Sequence, residues 1–157
     1  NLIGVLVENA VGKPLAEYAK SRIVDPAGFD GGLFWMVDPR GGNIGGCCLS
    51  ASLRDYARIG QFVLSGGKGV VPDGWFADAT RAWSPVGQGR GYGYQWWINA
   101  DATYQAQGIF GQMIHIDPAR GLVIVLSSAW PKATARELSG ARAAFVDRIK
   151  AAIDAER

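Results

Sequence analysis

Histidine and cysteine are scarce in this sequence of 157 residues, which contains one histidine and two cysteines. The cysteines, Cys47 and Cys48, are adjacent, so they cannot form the long-range bridges that hold a small disulfide-rich fold together. Because the chain has a single histidine, His115, and no C-x-x-C pair, a zinc site of histidines and cysteines is not expected. These shortages exclude the disulfide-rich and zinc-finger classes, and we expect no bound metal.

Long apolar runs and clusters of one charge are also missing. The longest uninterrupted apolar segment, residues 122–126, is far shorter than the roughly 20 residues that a membrane-spanning helix needs. The 16 Lys and Arg residues are scattered among 14 Asp and Glu residues, which leaves a net charge of +2. We therefore expect neither a membrane nor a nucleic acid as a partner.

Three common catalytic motifs are absent: G-x-S-x-G, the phosphate-binding G-x-x-x-x-G-K-[ST] and H-E-x-x-H. The letters of S-x-x-K occur once, at residues 65–68 ("SGGK"). A serine and lysine that exchange a proton need one face of a helix near its N-terminal end, whereas these residues include two glycines and follow a predicted helix. We interpret the segment as the end of that helix.

Two further sites remain open as alternatives. His115 alternates with Ile114 and Ile116 in a predicted strand, and we interpret it as structural, with a general base as the alternative. The adjacent cysteines precede a predicted helix, where a thiol can become reactive. We favour the interpretation that they are two small residues packed where the chain enters the core.

The composition supplies ample core material, because 48% of the residues are hydrophobic and 11% are aromatic. The tryptophans could line an apolar pocket, but we expect most of them in the core or in a cleft wall. The tryptophans are Trp35, Trp75, Trp83, Trp96, Trp97 and Trp130.

Hydrophobic periodicity predicts helices in the first half of the chain. Helical spacing over residues 2–11 ends at Gly12, and a second helix begins at Pro14 and ends before Asp25. A glycine-rich irregular stretch over residues 26–48 follows.

A third predicted helix begins with a cap formed by Ser52 and Asp55. Its predicted apolar face contains Leu53, Tyr56, Ala57, Gly60, Val63 and Leu64, and Ser65 with the two following glycines ends it. A short helix is expected over residues 75–79.

The period changes to two from Tyr92, which predicts a strand with Tyr92, Tyr94 and Trp96 on one face. A second strand is expected from about residue 109 to residue 116, followed by a turn and a returning strand over residues 122–126 that is covered on both faces. The chain then ends in a helix over residues 133–156, whose predicted buried stripe contains Leu138, Ala141, Phe145, Ile149 and Ala152. This order predicts an α+β fold with an antiparallel sheet, here three meander strands, packed between helices, with the C-terminal helix on the sheet.

The segment "AQGIFGQ", residues 106–112, places two glycines three positions apart at the start of the second predicted strand. Glycine in a strand allows a ligand to approach the backbone closely. The alternative is a β-bulge at the entrance of the strand, which requires no ligand.

The order of three segments resembles the C-terminal half of the serine hydrolases that share the class C β-lactamase fold: "GGCCLSASLRDYARIGQFVLSGG", "YGYQWW" and "GIFGQMIHIDPARGLVIVLSSAWP". Within that group the chain looks most like the 6-aminohexanoate-dimer hydrolases and related esterases. The opening segment is similar to the stretch that follows the Y-x-N motif of this family, so the resemblance covers essentially the whole chain. It implies that residues 1–157 are the C-terminal portion of a single β-lactamase-like domain.

The resemblance implies a serine nucleophile in S-x-x-K, a tyrosine in Y-x-N that transfers protons, and a third motif, K-T-G, on a strand. The first two motifs are absent from this sequence and would lie upstream, in an N-terminal part that we expect as a partner of this chain. Residues 106–112 take the place of the K-T-G strand, with Gly108 as the counterpart of its glycine. The lysine and threonine have no counterpart, which argues against β-lactam recognition, and Phe110 replaces the histidine of the G-I-H-G pattern expected in the amide hydrolases.

The implied function is a serine hydrolase that cleaves a small amide or ester through an acyl-enzyme, without a metal or an organic cofactor. We expect the Ile109 backbone amide, bordered by Gly108, to form half of the oxyanion hole. The alternative is a shifted alignment in which Gly111 and Gln112 take these two places. The residues expected to line the substrate cleft are Asn43, Cys47, Tyr94, Phe110 and Gln112. A non-catalytic ligand-binding module is the alternative function.

Overall fold

The computed structural model describes residues 1–157. The chain forms two compact units, Asn1–Val71 and Pro72–Arg157. None of the helices combines the length and apolar character that a membrane crossing needs.

The first unit is mainly helical. Its strands β1 and β2 pair antiparallel, with Phe34 opposite Ser50 and Trp35 opposite Leu49. Its elements are α1 (Leu2–Val11), α2 (Leu15–Ala19), a π-helical segment (Lys20–Val24), α3 (Asp25–Ala27), β1 (Phe34–Trp35), β2 (Leu49–Ser50) and α4 (Leu53–Leu64).

Helix α1 ends where the sequence predicts, because Gly12 adopts a φ of 64° and its N–H donates to the Glu8 carbonyl. The apolar side chains of the helix are nevertheless exposed, as Leu2 at 73% and Ile3 at 62% show. The one buried residue is Gly4, where an added Cβ would lie 3.0 Å from the Gly45 Cα. The helix therefore packs through its glycine side.

The second predicted helix does not end before Asp25, so that boundary is wrong. The chain passes from α2 through the π-helical segment into α3, and Gly28, at a φ of 73°, ends the helix. A proline ring normally clashes with the carbonyl four residues earlier. A π-helical turn bonds each carbonyl five residues on, and such a turn directly before Pro26 lets the helix continue.

Helix α4 confirms its predicted cap, since the Ser52 side chain accepts the Asp55 N–H at 3.1 Å. Its predicted apolar face is partly wrong, because Leu53 is 52% exposed whereas Asp55 is fully buried. The Asp55 carboxylate accepts bonds from the backbone N–H groups of Asp30 and Gly31 and from the Arg58 guanidinium. These donors compensate for burying a charge, which hydrophobic periodicity does not register.

The second unit contains a six-stranded antiparallel sheet whose strands lie in chain order, from β3 to β8. The α+β class is confirmed, but the sheet has six strands rather than three. The elements are α5 (Trp75–Ala79), β3 (Ser84–Gly87), β4 (Arg90–Tyr92), β5 (Trp97–Ile98), β6 (Tyr104–Gln107), β7 (Met113–Asp117), β8 (Leu122–Leu126) and α6 (Arg136–Ala155).

The strand predicted from Tyr92 is wrong beyond that residue, because "YGYQWW" turns back on itself. The Gly93 N–H donates to the Trp96 carbonyl at 2.8 Å, and Gln95 has a φ of 67°. The turn packs on the end of α5, where the Tyr94 N–H donates to the Ala79 carbonyl and a Cβ at Gly93 would collide with that carbonyl oxygen. Packing on α5 thus overrides the alternating pattern of the sequence.

The predicted hairpin of β7 and β8 is confirmed, with Met113 opposite Leu126 and Asp117 opposite Leu122. No residue of β8 is fully exposed, although only Ile124 is fully buried. Strand β8 is the last strand of the sheet and pairs with β7 alone. Its other edge therefore carries unpaired backbone groups.

Helix α6 packs on the sheet as predicted, with Val146 in one cluster with Met113 and Ile124. The predicted stripe is wrong for its largest members, since Phe145 is 49% exposed and Leu138 is 36% exposed. The side toward the sheet includes charged residues whose long aliphatic stems cover apolar surface. It contains Ser139, Arg142, Val146, Ile149, Lys150 and Ile153.

Candidate functional site

The segment "AQGIFGQ" forms the connection between β6 and β7 rather than the start of a strand. The last residue pair between β6 and β7 is Gln107 opposite Met113, so the strand does not start at residue 109 as predicted. The register of this pairing has no irregularity, so the alternative prediction of a β-bulge is also wrong. In the loop of residues 108–112, the Gly108 N–H donates to the Gln112 carbonyl at 2.9 Å and the Gly111 N–H donates to the Gly108 carbonyl at 3.1 Å. The second bond closes a β-turn with Ile109 and Phe110 at its centre.

Packing within the protein requires the second glycine of the loop, Gly111, whereas a side chain at Gly108 would only displace the flexible end of Gln112. A Cβ at Gly108 would collide with the Gln112 side chain. Gly111 has a φ of 93°, and a Cβ there would also collide with the Trp130 indole. The loop therefore accounts for Gly111 without a ligand.

Hydrogen bonds on two sides hold this loop in place. The Ile109 carbonyl accepts the Thr134 N–H at 2.8 Å, and the Phe110 carbonyl accepts the Trp130 N–H at 3.1 Å. The Phe110 N–H in turn donates to the Gln112 side-chain oxygen at 3.2 Å. The turn is thus tied both to itself and to residues 130–134.

The Ile109 N–H is left without a hydrogen-bond acceptor in the protein. This N–H belongs to the peptide between Gly108 and Ile109. The carbonyl of the same peptide, that of Gly108, accepts the Gly111 N–H, which fixes the orientation of the peptide plane. A trans peptide points its N–H opposite to its C=O, so the Ile109 N–H is directed away from the turn. Ile109 is 60% exposed, and the loop therefore presents an oriented, unpaired backbone donor.

Arg142 supports the base of the loop from α6, a role that the sequence pattern does not reveal. Its guanidinium donates to the Gln107 side-chain oxygen at 2.7 Å and lies 5.0 Å from the centre of the Trp130 ring. Burial lowers the pKa of this guanidinium. Arg142 is 35 positions from Gln107 and 12 positions from Trp130 in the sequence, so no local motif indicates these contacts.

The remaining nucleophile and base candidates do not form a catalytic pair. The Ser65 hydroxyl donates to the Phe62 carbonyl at 2.9 Å, and the Lys68 ammonium lies 3.4 Å from the Pro26 carbonyl. Ser65 caps the C-terminus of α4, which confirms that this segment ends a helix. His115 is buried at 2% exposure and bonds Gln105, in agreement with a structural role.

Comparison with known proteins places the chain in a family. The family model described as "Beta-lactamase" matches residues 1–147. The chain belongs to the beta-lactamase family. It is 30% identical over 138 aligned residues to a 6-aminohexanoate-dimer hydrolase from Paenarthrobacter ureafaciens, covering 76% of this chain and 34% of that protein.

A solved structure shows the same fold. It is described as a "putative 6-aminohexanoate-dimer hydrolase" from Bacillus anthracis and superimposes with a TM-score of 0.82 at 27% identity. The match covers 93% of this chain and 40% of that structure. This beta-lactamase family chain thus spans between a third and two fifths of the length of these two relatives.

The predicted cleft residues of this family member occur in different surroundings. Phe110 and Gln112 lie in the loop beside Ile109, and both are exposed. Tyr94 instead belongs to an exposed aromatic group, in which its ring is stacked 6.1 Å from that of Trp83 and lies 5.8 Å from that of Trp75. The Arg81 guanidinium lies 4.8 Å from the Trp83 ring.

Asn43 and Cys47 lie in the first unit. The Asn43 side-chain oxygen accepts the Ala16 N–H at 3.0 Å, so it anchors a loop to α2. Cys47 and Cys48 are exposed and are bonded to each other. Both earlier interpretations, packed small residues and a reactive thiol, are therefore wrong, because the disulfide removes the free thiols and the glycine-rich segment stays at the surface.

The tryptophans are also less buried than expected. Trp75, Trp83 and Trp97 are between 41% and 51% exposed, and the other three are half-buried. No group of three or more histidine, cysteine, aspartate or glutamate side chains could hold a metal ion.

Proposed function

We propose that this chain supplies an oxyanion-hole donor of a serine hydrolase that cleaves amide or ester bonds through an acyl-enzyme. Membership in the beta-lactamase family and the names of the two relatives, both 6-aminohexanoate-dimer hydrolases, support a hydrolase. The observation that carries the finer proposal is the unpaired N–H of Ile109 on a loop held at both sides.

The chemistry explains why such a donor matters. When a serine oxygen attacks the substrate carbonyl, the carbonyl oxygen gains negative charge, and backbone N–H groups aimed at it stabilise that charge. Loss of one such donor costs about 2.7–4 kcal/mol of transition-state stabilisation. Because the Gly108–Ile109 peptide plane is already fixed, the donor needs no reorganisation during the reaction.

The proposed reaction proceeds in two steps. The serine proton passes to a base, the serine oxygen forms a bond to the acyl carbon, and the amine or alcohol leaves with a proton. Water then attacks the acyl-enzyme and releases the acid. Ile109 serves the oxyanion in both steps, Gly108 borders it, and Phe110 and Gln112 face the substrate.

The serine, its lysine and the tyrosine belong, in this proposal, to another part of the full-length protein. The relatives are about two and a half to three times as long as the matched region, which leaves room for that part. The unpaired edge of β8 and the exposed apolar side chains of α1 offer surfaces for it. The 157 residues alone are then inactive.

A fluorophosphonate probe applied to the full-length protein tests the proposal. The probe bonds covalently to an activated serine, and peptide mapping locates the modified residue. Labelling of a serine in an S-x-x-K sequence upstream of residue 1 supports the proposal. Absence of labelling in a folded full-length protein contradicts it.

A ligand-binding module without catalysis is the second candidate function. The exposed group of Trp75, Trp83 and Tyr94 favours it, because exposed aromatic rings commonly bind flat or apolar ligands. Ligand binding can be measured by the quenching of tryptophan fluorescence. A full-length protein that binds a ligand but is not labelled by the probe would support the binding module over the hydrolase.

A further inference from the structure

The disulfide between Cys47 and Cys48 is an exposed chemical group of the first unit, whereas the loop at Ile109 belongs to the second. It lies on the segment that connects β1 to β2. A disulfide stabilises a fold mainly by closing a long loop of the unfolded chain, so a bridge between two neighbours contributes little in this way. The bridge therefore needs an explanation other than stability.

The position of the two cysteines in the chain makes their bridge easy to open. Relaxed disulfides join Cα atoms roughly 4.4–6.8 Å apart. Cys47 and Cys48 are adjacent, and their Cα atoms are 3.7 Å apart. Cys48 also has a φ of 72°, in the left-handed region that disfavours every residue except glycine. Exposed and strained disulfides are the ones that exchange readily with other thiols.

The backbone on both sides of the bridge is held by hydrogen bonds that do not involve sulfur. The Cys47 N–H donates to the Ile44 carbonyl at 3.3 Å, and the Met36 N–H donates to the Cys48 carbonyl at 3.1 Å. The Trp35 indole N–H donates to the Ile44 and Cys47 carbonyls at 3.0 Å and 3.1 Å. These bonds remain available after reduction, so the two thiols stay close enough for the bridge to form again.

We propose that Cys47 and Cys48 form a reversible redox site for small thiols of the glutathione type. The thiolate of a first small thiol attacks one sulfur of the pair, forms a mixed disulfide with it and displaces the other sulfur, which takes up a proton. A second small thiol attacks the mixed disulfide and leaves with the first as their oxidised dimer, and the freed cysteine sulfur takes up a proton. The pair gains two electrons and two protons, which the two small thiols supply.

The test equilibrates the full-length protein in a series of buffers with an increasing proportion of reduced to oxidised glutathione. Iodoacetamide then blocks free thiols, and mass spectrometry of the peptide that contains both cysteines measures the reduced fraction. We expect this peptide to change from unmodified to doubly alkylated within the series, and to close again when oxidised glutathione is restored. Structural disulfides resist reduction by glutathione. Circular dichroism checks that the protein stays folded in each buffer.

Two single variants test whether the cysteines act as a pair. Cys48→Ser leaves Cys47 without its partner, and we expect it to keep one bound glutathione in the oxidised buffers. Cys47→Ser is the mirror variant and is expected to behave in the same way. The unchanged protein is expected to accumulate no such adduct, because its second cysteine displaces the glutathione.

The proposal is overturned if the pair stays closed in the most reducing glutathione buffer, or if it stays reduced in the most oxidising one. It is also overturned if the unchanged protein retains glutathione as the single variants do. Because the readout is the mass of one peptide and not turnover, the result does not depend on the proposed hydrolase activity.

Discussion

The N–H of Gly111 donates to the carbonyl of Gly108 at 3.1 Å, and this bond orients the peptide between Gly108 and Ile109. Because the carbonyl of that peptide is engaged inside the turn, its N–H is directed out of the turn without an acceptor. The role proposed for Ile109 thus depends on the backbone, and its side chain is free to vary.

Ile109→Pro in the full-length protein is expected to lower kcat by roughly 10² to 10³, because it removes the proposed oxyanion donor. Ile109 is the second residue of the turn, a position where proline is favoured, so the fold is expected to persist. Ile109→Val keeps the N–H and is the matched control, with activity close to that of the unchanged protein. Equal hydrolysis rates for the two variants would rule out Ile109 as the donor.

Gly111→Ala is expected to lower the free energy of unfolding by about 2–4 kcal/mol, since it combines an unfavourable φ with a collision against Trp130. Gly121→Ala is the control, because Gly121 has a φ of 62° and open space around it. That variant is expected to cost only about 1–2 kcal/mol. Denaturant unfolding followed by tryptophan fluorescence measures the difference, and equal losses would show that the Trp130 contact does not hold the loop.

Asp55→Asn is expected to lower the midpoint of thermal unfolding by roughly 5–10 °C. Asn has one carboxamide oxygen in place of two carboxylate oxygens, so the donors of Asp30, Gly31, Ser52 and Arg58 can no longer all be satisfied. Glu17→Gln, which neutralises an exposed carboxylate without a partner, is expected to leave the midpoint unchanged. A similar midpoint for both variants, measured by circular dichroism, would contradict a structural role for the buried carboxylate.

The stability of the chain is expected to fall as the pH is lowered below about 6.5, the usual pKa of histidine in an unfolded chain. Burial lowers the pKa of His115 in the folded state, so the unfolded state binds more protons in this range. Lys150 adds to this shift, whereas Asp101, Asp117 and Asp147 oppose it.

His115→Gln supplies the comparison, because glutamine can bond Gln105 but does not titrate. Its free energy of unfolding is expected to vary less between about pH 7 and pH 5 than that of the unchanged chain. Denaturant unfolding at a series of pH values provides the measurement. Parallel pH profiles for the two proteins would show that His115 is not the group responsible.

The remainder of the full-length protein, produced as a separate chain, is expected to associate with these 157 residues and to restore probe labelling. The unpaired edge of β8 and the exposed side of α1 are the surfaces available for this association. Size-exclusion chromatography with light scattering measures it. If the two chains stay monomeric when mixed, the proposed division of the site between them is incorrect.

Features that depend on neighbours in the chain were predictable from the sequence. Gly12 ends α1 and Ser52 caps α4 because each acts on backbone groups within four residues. The hairpin of β7 and β8 follows from a short turn between two apolar runs. The resemblance to the beta-lactamase family rested on the order of such local segments, and the family match confirms it.

Features that depend on distant residues required the tertiary structure. Gly93 folds "YGYQWW" into a turn because Ala79 lies against it, and α6 faces the sheet with Arg142 and Lys150 because Gln107 and Asp101 bind them. Hydrophobic spacing along one element carries no information about a polar partner on another element.

The sequence by itself determined the α+β class, most helix ends and the place of "AQGIFGQ" as a candidate edge of the site. Only the tertiary structure showed that this segment is a turn, that Trp130 and the backbone conformation require Gly111, and that the Ile109 N–H is left unpaired. The physical reason is that local propensities act over a few residues, whereas the direction of a peptide N–H is set by every hydrogen bond around it.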